Sequence, residues 1–74
     1  MSSKRIIRFP LNGDFIELHK LLKIVQIAES GGEAKFMISE GMISLNGETE
    51  LRKAAKIKPG DIVENDEFKV VVEP

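Results

Sequence analysis

The sequence predicts an α+β domain in which two short packed helices are followed by β-hairpins in a small, mostly antiparallel sheet. Three observations carry that prediction. Apolar residues recur at helical spacing across residues 18–38, the period changes to two after Gly41, and an Asn46-Gly47 pair separates two alternating runs. All 74 residues are expected to form one domain, 1–74, because a chain this short buries only about 60–65% of its unfolded surface and cannot build a second core.

In chain order, residues 5–9 alternate as a short strand closed by Pro10 and the Asn12-Gly13-Asp14 turn cluster. Leu18, Leu21, Leu22 and Val25 then fall at i, i+3, i+4 and i+7, which gives a first helix one buried stripe and leaves Lys20 and Lys23 off it. Ser30 with Glu33 three residues on forms a capping box, each side chain meeting a backbone N–H near the start of a second helix. Ala34, Met37 and Ile38 repeat the stripe, and Gly41 stands where a left-handed residue ends a helix. Residues 26–29 leave room only for a tight connection, so the helices pack as an αα unit. Ile43 and Leu45 next alternate with Ser44, and Thr49 and Leu51 with Glu48, Glu50 and Arg52, so Asn46-Gly47 closes a first hairpin. After the Pro59-Gly60-Asp61 turn, Ile62-Val63 and residues 68–72 make a second hairpin around residues 64–67.

Composition narrows the function classes. With 42% hydrophobic and 31% charged residues the chain reads as globular, and no apolar run approaches the roughly 20 residues that span a bilayer, so no membrane association is expected. The N-terminal segment lacks the apolar stretch of a signal peptide, and its second residue is not the glycine of a myristoylation site, which predicts a cytoplasmic protein. Absence of cysteine excludes disulfides and thiolate metal sites. No Ser/His/Asp or Cys/His arrangement or metal-ligand spacing occurs, and the lone His19 has no acid–nucleophile partner, so neither catalysis nor a cofactor is expected. Net charge is −1, yet residues 1–60 carry +3 and residues 61–74 carry −4. Contacts act within a Debye length of about 8 Å, so one face can be positive while the whole is not.

The segment from Ser30 to Lys35 is the most informative about function. Gly31 and Gly32 leave the first turn of the second helix without side chains, so its N–H groups are open to a ligand and the helix dipole favours phosphate there. Lys35 projects from the same side. The same glycines also fit a bland role, the relief of crowding at a sharp chain entry, and the lysines also fit a solvated surface. Asn46 suits the first central position of a type I′ turn as well as an RNA contact. Glu50 and Arg52 share a strand face, which fits an internal ion pair or a contacting arginine equally. Phe36 lies off the apolar stripe, either as a platform for a base or packed under a neighbouring strand. With no Trp or Tyr and four Phe, the chain is poorly equipped to read single strands, and a backbone-reading surface for structured RNA is expected.

The order of these motifs resembles a known family. The stretch from Ile16 to about Val63 is similar to the RNA-binding domain first seen in ribosomal small-subunit protein four, the S-four domain with its αL motif. Ser30-Gly31-Gly32-Glu33-Ala34-Lys35, the Asn46-Gly47-Glu48 turn, and the tail carrying Glu50, Arg52, Lys53, Lys56, Ile57, Gly60 and Asp61 look like the small stand-alone bacterial proteins of the YbcJ-like group. The resemblance implies that the helix pair and the following hairpin form an RNA-binding surface. It departs where the family often shows a glycine and a further basic residue and this chain has Ala54 and Ala55, and where an acid is replaced by His19. One phosphate contact fewer implies modest affinity. The expectation is therefore a monomeric, non-catalytic module that docks structured RNA, ribosomal RNA or a ribosome-associated particle, through Lys20, Lys23, Ser30, Gly31, Gly32, Lys35, Asn46, Arg52, Lys53 and Lys56. The alternative is a protein-interaction adaptor whose acidic C-terminal hairpin, residues 61–74, binds a basic partner or adds a strand along an edge at residues 68–72.

Overall fold

The computed structural model describes residues 4–74; residues 1–3, the beginning of the segment read for targeting signals, lie outside the described residues. The chain runs β1 (Arg5–Pro10), β2 (Ile16–Glu17), α1 (Leu18–Ile24), α2 (Gly31–Ser39), β3 (Ser44–Leu45), β4 (Glu48–Thr49), β5 (Lys56–Ile57), β6 (Ile62–Glu64) and β7 (Phe68–Glu73). This is the α+β arrangement the periodicities predict. Five strands form one sheet in the order β1-β7-β6-β3-β4, with every pair antiparallel except β1 and β7. Leu18, Leu21 and Leu22 of α1, Ala34 and Ile38 of α2, and Ile43, Val63, Val70 and Val72 from the sheet side all join one buried core.

Both helices end in the same way. In α2 the Gly41 N–H donates to the Ile38 carbonyl and the Met42 N–H to the Met37 carbonyl, each at 3.1 Å, with Gly41 at φ 74°. This is a Schellman closure with glycine in the left-handed position. In α1 the Gln26 N–H donates to the Lys23 carbonyl and the Ile27 N–H to the Leu22 carbonyl, each at 3.0 Å, with Gln26 at φ 64°. A glutamine thus occupies the backbone position that glycine fills more easily. That is what turns the chain sharply enough for α1 and α2 to pack.

Three expectations need correcting. Residues 68–72 are not an edge: β7 is flanked by β1 and β6, so no strand can be added there. The reason is that β1 also needs a neighbour for its backbone groups and its half-buried Ile7 and Phe9, which lie beside Val70 and Val72 in the parallel register. Secondly, β4 stops at Thr49 and Leu51 is 61% exposed, because the Glu50 carboxylate accepts the Arg52 N–H at 3.0 Å and curls the chain out of the ladder. Thirdly, the acidic C-terminal hairpin is not wholly free for a basic partner, since two of its five acids are paired within the fold. Lys4 pairs with Glu64 at 2.8 Å and Arg8 with Glu73 at 3.0 Å, so the basic first strand lies against the acidic C-terminal segment and partly neutralises it.

A second, two-stranded sheet has no counterpart in the sequence reading. β2 pairs with β5, Ile16 opposite Ile57 and Glu17 opposite Lys56. Just beyond it, the Leu18 and His19 N–H groups donate to the Ala55 and Lys53 carbonyls at 2.9 and 3.0 Å. The start of α1, whose N-cap Glu17 makes no side-chain cap, is therefore closed by the backbone of the basic tail.

Candidate nucleic-acid interface

At the start of α2, Ser30 Oγ accepts the Glu33 N–H at 3.1 Å, and Glu33 Oε1 accepts the Glu29 N–H at 2.7 Å. The capping box forms with its return bond one residue ahead of the cap. Gly31 and Gly32 belong to the turn whose N–H groups have no intrahelical acceptor. Crowding does not call for glycine here. A Cβ on Gly31 would meet nothing within 4 Å, one on Gly32 only Ser30 Oγ at 3.8 Å, and neither glycine has a positive φ. The absence of side chains leaves an uncovered helix end, with exposed Lys35 one turn along it.

Lys23 stands in the last turn of α1 and lines a shallow depression with Gln26, Ala28 and Glu29, beside the entry to α2. It is the basic candidate at the end of α1 that leads into Ser30, Gly31 and Gly32. The tail candidates lie at the other end of α1, whose seven residues span roughly 10 Å at 1.5 Å per residue, with Lys20 between the two ends. There the tail carries Arg52, Lys53 and Lys56 over the start of α1, and Lys20 reaches toward it. Neither lysine nor arginine in this second group is wholly uncommitted except Lys53. Lys20 Nζ lies 3.2 Å from Glu17 Oε1, and Lys56 Nζ sits 5.0 Å from the centre of the Phe15 ring. Among the described residues Lys23, Lys35 and Lys53 have no ion-pair partner.

Arg52 and Glu50 form a two-pronged pair, Nε to Oε2 at 3.0 Å and Nη2 to Oε1 at 3.1 Å. Hydrogen bonds from the Arg52 side chain and then from its backbone N–H hold the Glu50 carboxyl below its ordinary pKa, and the same side-chain bond raises that of Arg52. The Glu50 side chain is 13% exposed and that of Arg52 is 78% exposed, so the acid orients the guanidinium while its outer edge faces solvent. Internal pairing and ligand contact are therefore compatible in this geometry. Glu17 is the second such organiser. The hydrogen bond from Lys20 is the main cause of its lowered pKa, and His19 Nε2 lies 3.4 Å away. The sequence reading passed over Glu17, although its i,i+3 spacing to Lys20 is legible in the chain.

Asn46 is occupied by the fold. At φ 52°, followed by Gly47 at φ 90°, it makes the expected primed turn. Its Nδ2 also donates to Asp61 Oδ1 at 3.1 Å, and its Oδ1 accepts the Ile62 N–H at 2.9 Å. The side chain clamps the first hairpin to the start of β6.

The fold and this surface define a class: a small α+β domain that presents a helix pair, a following hairpin, an uncovered helix start and basic side chains at both ends of α1. The chain belongs to the S4 domain family, whose model matches residues 9–73. It is 34% identical over 58 residues, 78% of this chain and 82% of the relative, to the probable ribosome maturation protein RlbA of Bacillus subtilis. It is 44% identical over 48 residues, 65% of this chain and 69% of the relative, to the putative RNA-binding protein YbcJ of Escherichia coli. The solution structure of Escherichia coli YbcJ, described as revealing an αL motif involved in RNA-binding, superposes with a TM-score of 0.68 at 34% identity, covering 100% of this chain and 92% of that one. Among the described residues, no helix is long and apolar enough to cross a membrane.

Proposed function

We propose that this chain is a non-catalytic RNA-binding module that docks structured RNA, with ribosomal RNA or a ribosome-associated particle as its target. One phosphate is held by the open N–H groups at Gly31 and Gly32, with Lys35 and Lys23 beside it. Arg52, Lys53 and Lys56, carried by the tail at the start of α1, meet a second stretch of backbone, with Lys20 on α1 between the two. The uncovered start of α2 is the observation that carries the reading, because neither crowding nor backbone conformation accounts for its glycines. The family match and the RNA-related descriptions of RlbA and YbcJ support it. Asn46 acts indirectly, by holding the hairpin in place.

The test is fluorescence anisotropy with a structured ribosomal RNA fragment over a salt series, comparing wild type with a Lys35→Glu, Arg52→Glu double variant. Wild type is expected to bind with a negative log–log salt slope, and the variant to bind weakly with a slope flatter by about one for each lost contact. A companion variant, Gly31→Asp, separates structure from binding. An acid in the first turn stabilises the helix by about 0.3–1 kcal/mol through the dipole, yet repels phosphate, so stability should rise while affinity falls. Equal affinity in wild type and both variants refutes the docking surface.

A further inference from the structure

Phe36 stands on the outer side of α2, 60% exposed, while the core side of that helix is filled by Ala34 and Ile38 with Met37 packed against them. The chain's other rings are accounted for. Phe68 is buried, Phe9 is half-buried against the core, and Phe15, although 45% exposed, carries the Lys56 ammonium over its face. Among the described residues, Phe36 is thus the aromatic face that neither the core nor a cation covers. It follows Gly32 by four residues, which puts both on one side of α2 about 6 Å apart along the axis. Helical side chains lean toward the N-terminus, so the ring leans toward the open turn, and the missing side chain of Gly32 leaves that approach clear.

We propose that Phe36 is a platform for one unpaired base of the RNA whose phosphate sits at the start of α2. The proposal rests on the RNA reading above and narrows its ligand: an RNA helix interrupted by a single unstacked nucleotide, in preference to a uniform duplex. Lys35, exposed and four and three residues from Gly31 and Gly32, supplies the charge for that phosphate, while the ring's own neighbours along the helix, Glu33 and Glu40, leave it to the uncharged face of a base. The lack of a second open ring limits the platform to one base. Base–aromatic stacking tolerates any base, so the platform selects for the shape of the RNA and not for its sequence.

The experiment uses two hairpin RNAs of equal stem length, one fully paired and one with a single bulged 2-aminopurine, and follows both anisotropy and 2-aminopurine emission. Wild type should quench the bulged base and prefer the bulged RNA. Phe36→Leu keeps an apolar side chain at an exposed site, so its melting curve should match wild type while quenching disappears and affinity for the bulged RNA drops by roughly 5- to 140-fold. Phe36→Trp should restore both, and neither variant should alter binding of the paired RNA. Undiminished quenching and affinity in Phe36→Leu overturns the platform. If Lys35→Glu weakens both RNAs while Phe36→Leu weakens neither, phosphate docking stands and stacking falls. If wild type binds neither RNA, both readings fall together.

Discussion

Replacing Asn46 with alanine tests how the domain holds its first hairpin in register. The substitution removes two side-chain hydrogen bonds, from Nδ2 to Asp61 and from the Ile62 N–H to Oδ1. Each is worth about 0.5–1.5 kcal/mol net. It also obliges alanine to adopt φ 52°, a left-handed conformation that costs a residue with a Cβ about 1 kcal/mol. The expected loss is about 2–4 kcal/mol, out of a total of roughly 4–11 kcal/mol for a domain of this length. With a urea slope near 1 kcal/mol/M, the midpoint falls by about 2–4 M. The chain has no Trp or Tyr, so unfolding is followed by far-ultraviolet circular dichroism. Asn46→Gly separates the two contributions, since glycine accepts the positive φ and loses only the hydrogen bonds. The reasoning is refuted if Asn46→Ala stays within about 0.5 kcal/mol of wild type, and the conformational part of it if glycine and alanine are equally damaging.

Two further outcomes follow from the same geometry. Gln26→Gly, at the left-handed closure of α1, should stabilise the domain by about 0.5–1 kcal/mol, read as a higher urea midpoint with an unchanged slope; a lower midpoint refutes the strain assigned to that position. The lowered pKa of Glu50 gives stability that is complete above the ordinary carboxylate range and lost as pH falls through the lowered folded value. Between about pH 6 and about pH 3, Glu50→Gln should therefore lose less stability than wild type, keeping the share of acid sensitivity that belongs to Glu17 and Glu64; parallel pH profiles would show that the Arg52 pair contributes nothing.

The local elements were legible because they rest on short-range chemistry. The stripe of Leu18, Leu21 and Leu22, the Ser30 cap, the left-handed Gly41 and the Asn46-Gly47 turn depend on residues within one or two turns of each other, and each appears at its expected position. The candidate site was legible in part for the same reason: Ser30, Gly31, Gly32 and Lys35 fall within the cap and first turns of one helix. Lys20 and Lys23 come from α1 and Arg52, Lys53 and Lys56 from the tail, and their approach follows from how the tail folds over the start of α1.

Pairings between distant segments left no local trace. The parallel join of β1 to β7, the β2–β5 staple of two residues per strand, and the ion pairs from Lys4 and Arg8 to the C-terminal acids link positions whose alternation or charge is compatible with many partners. Periodicity states which face of a segment is apolar and not which other segment will cover it. By itself, then, the sequence determined the helix pair, the hairpin turns, the uncovered helix start and the family. Tertiary structure decided that β7 is interior, that Asn46 is a clamp, that Glu50 and Glu17 aim the basic rim, and that Phe36 alone among the described rings stays open, because each depends on which backbone comes to lie within hydrogen-bond or van der Waals reach once the core closes.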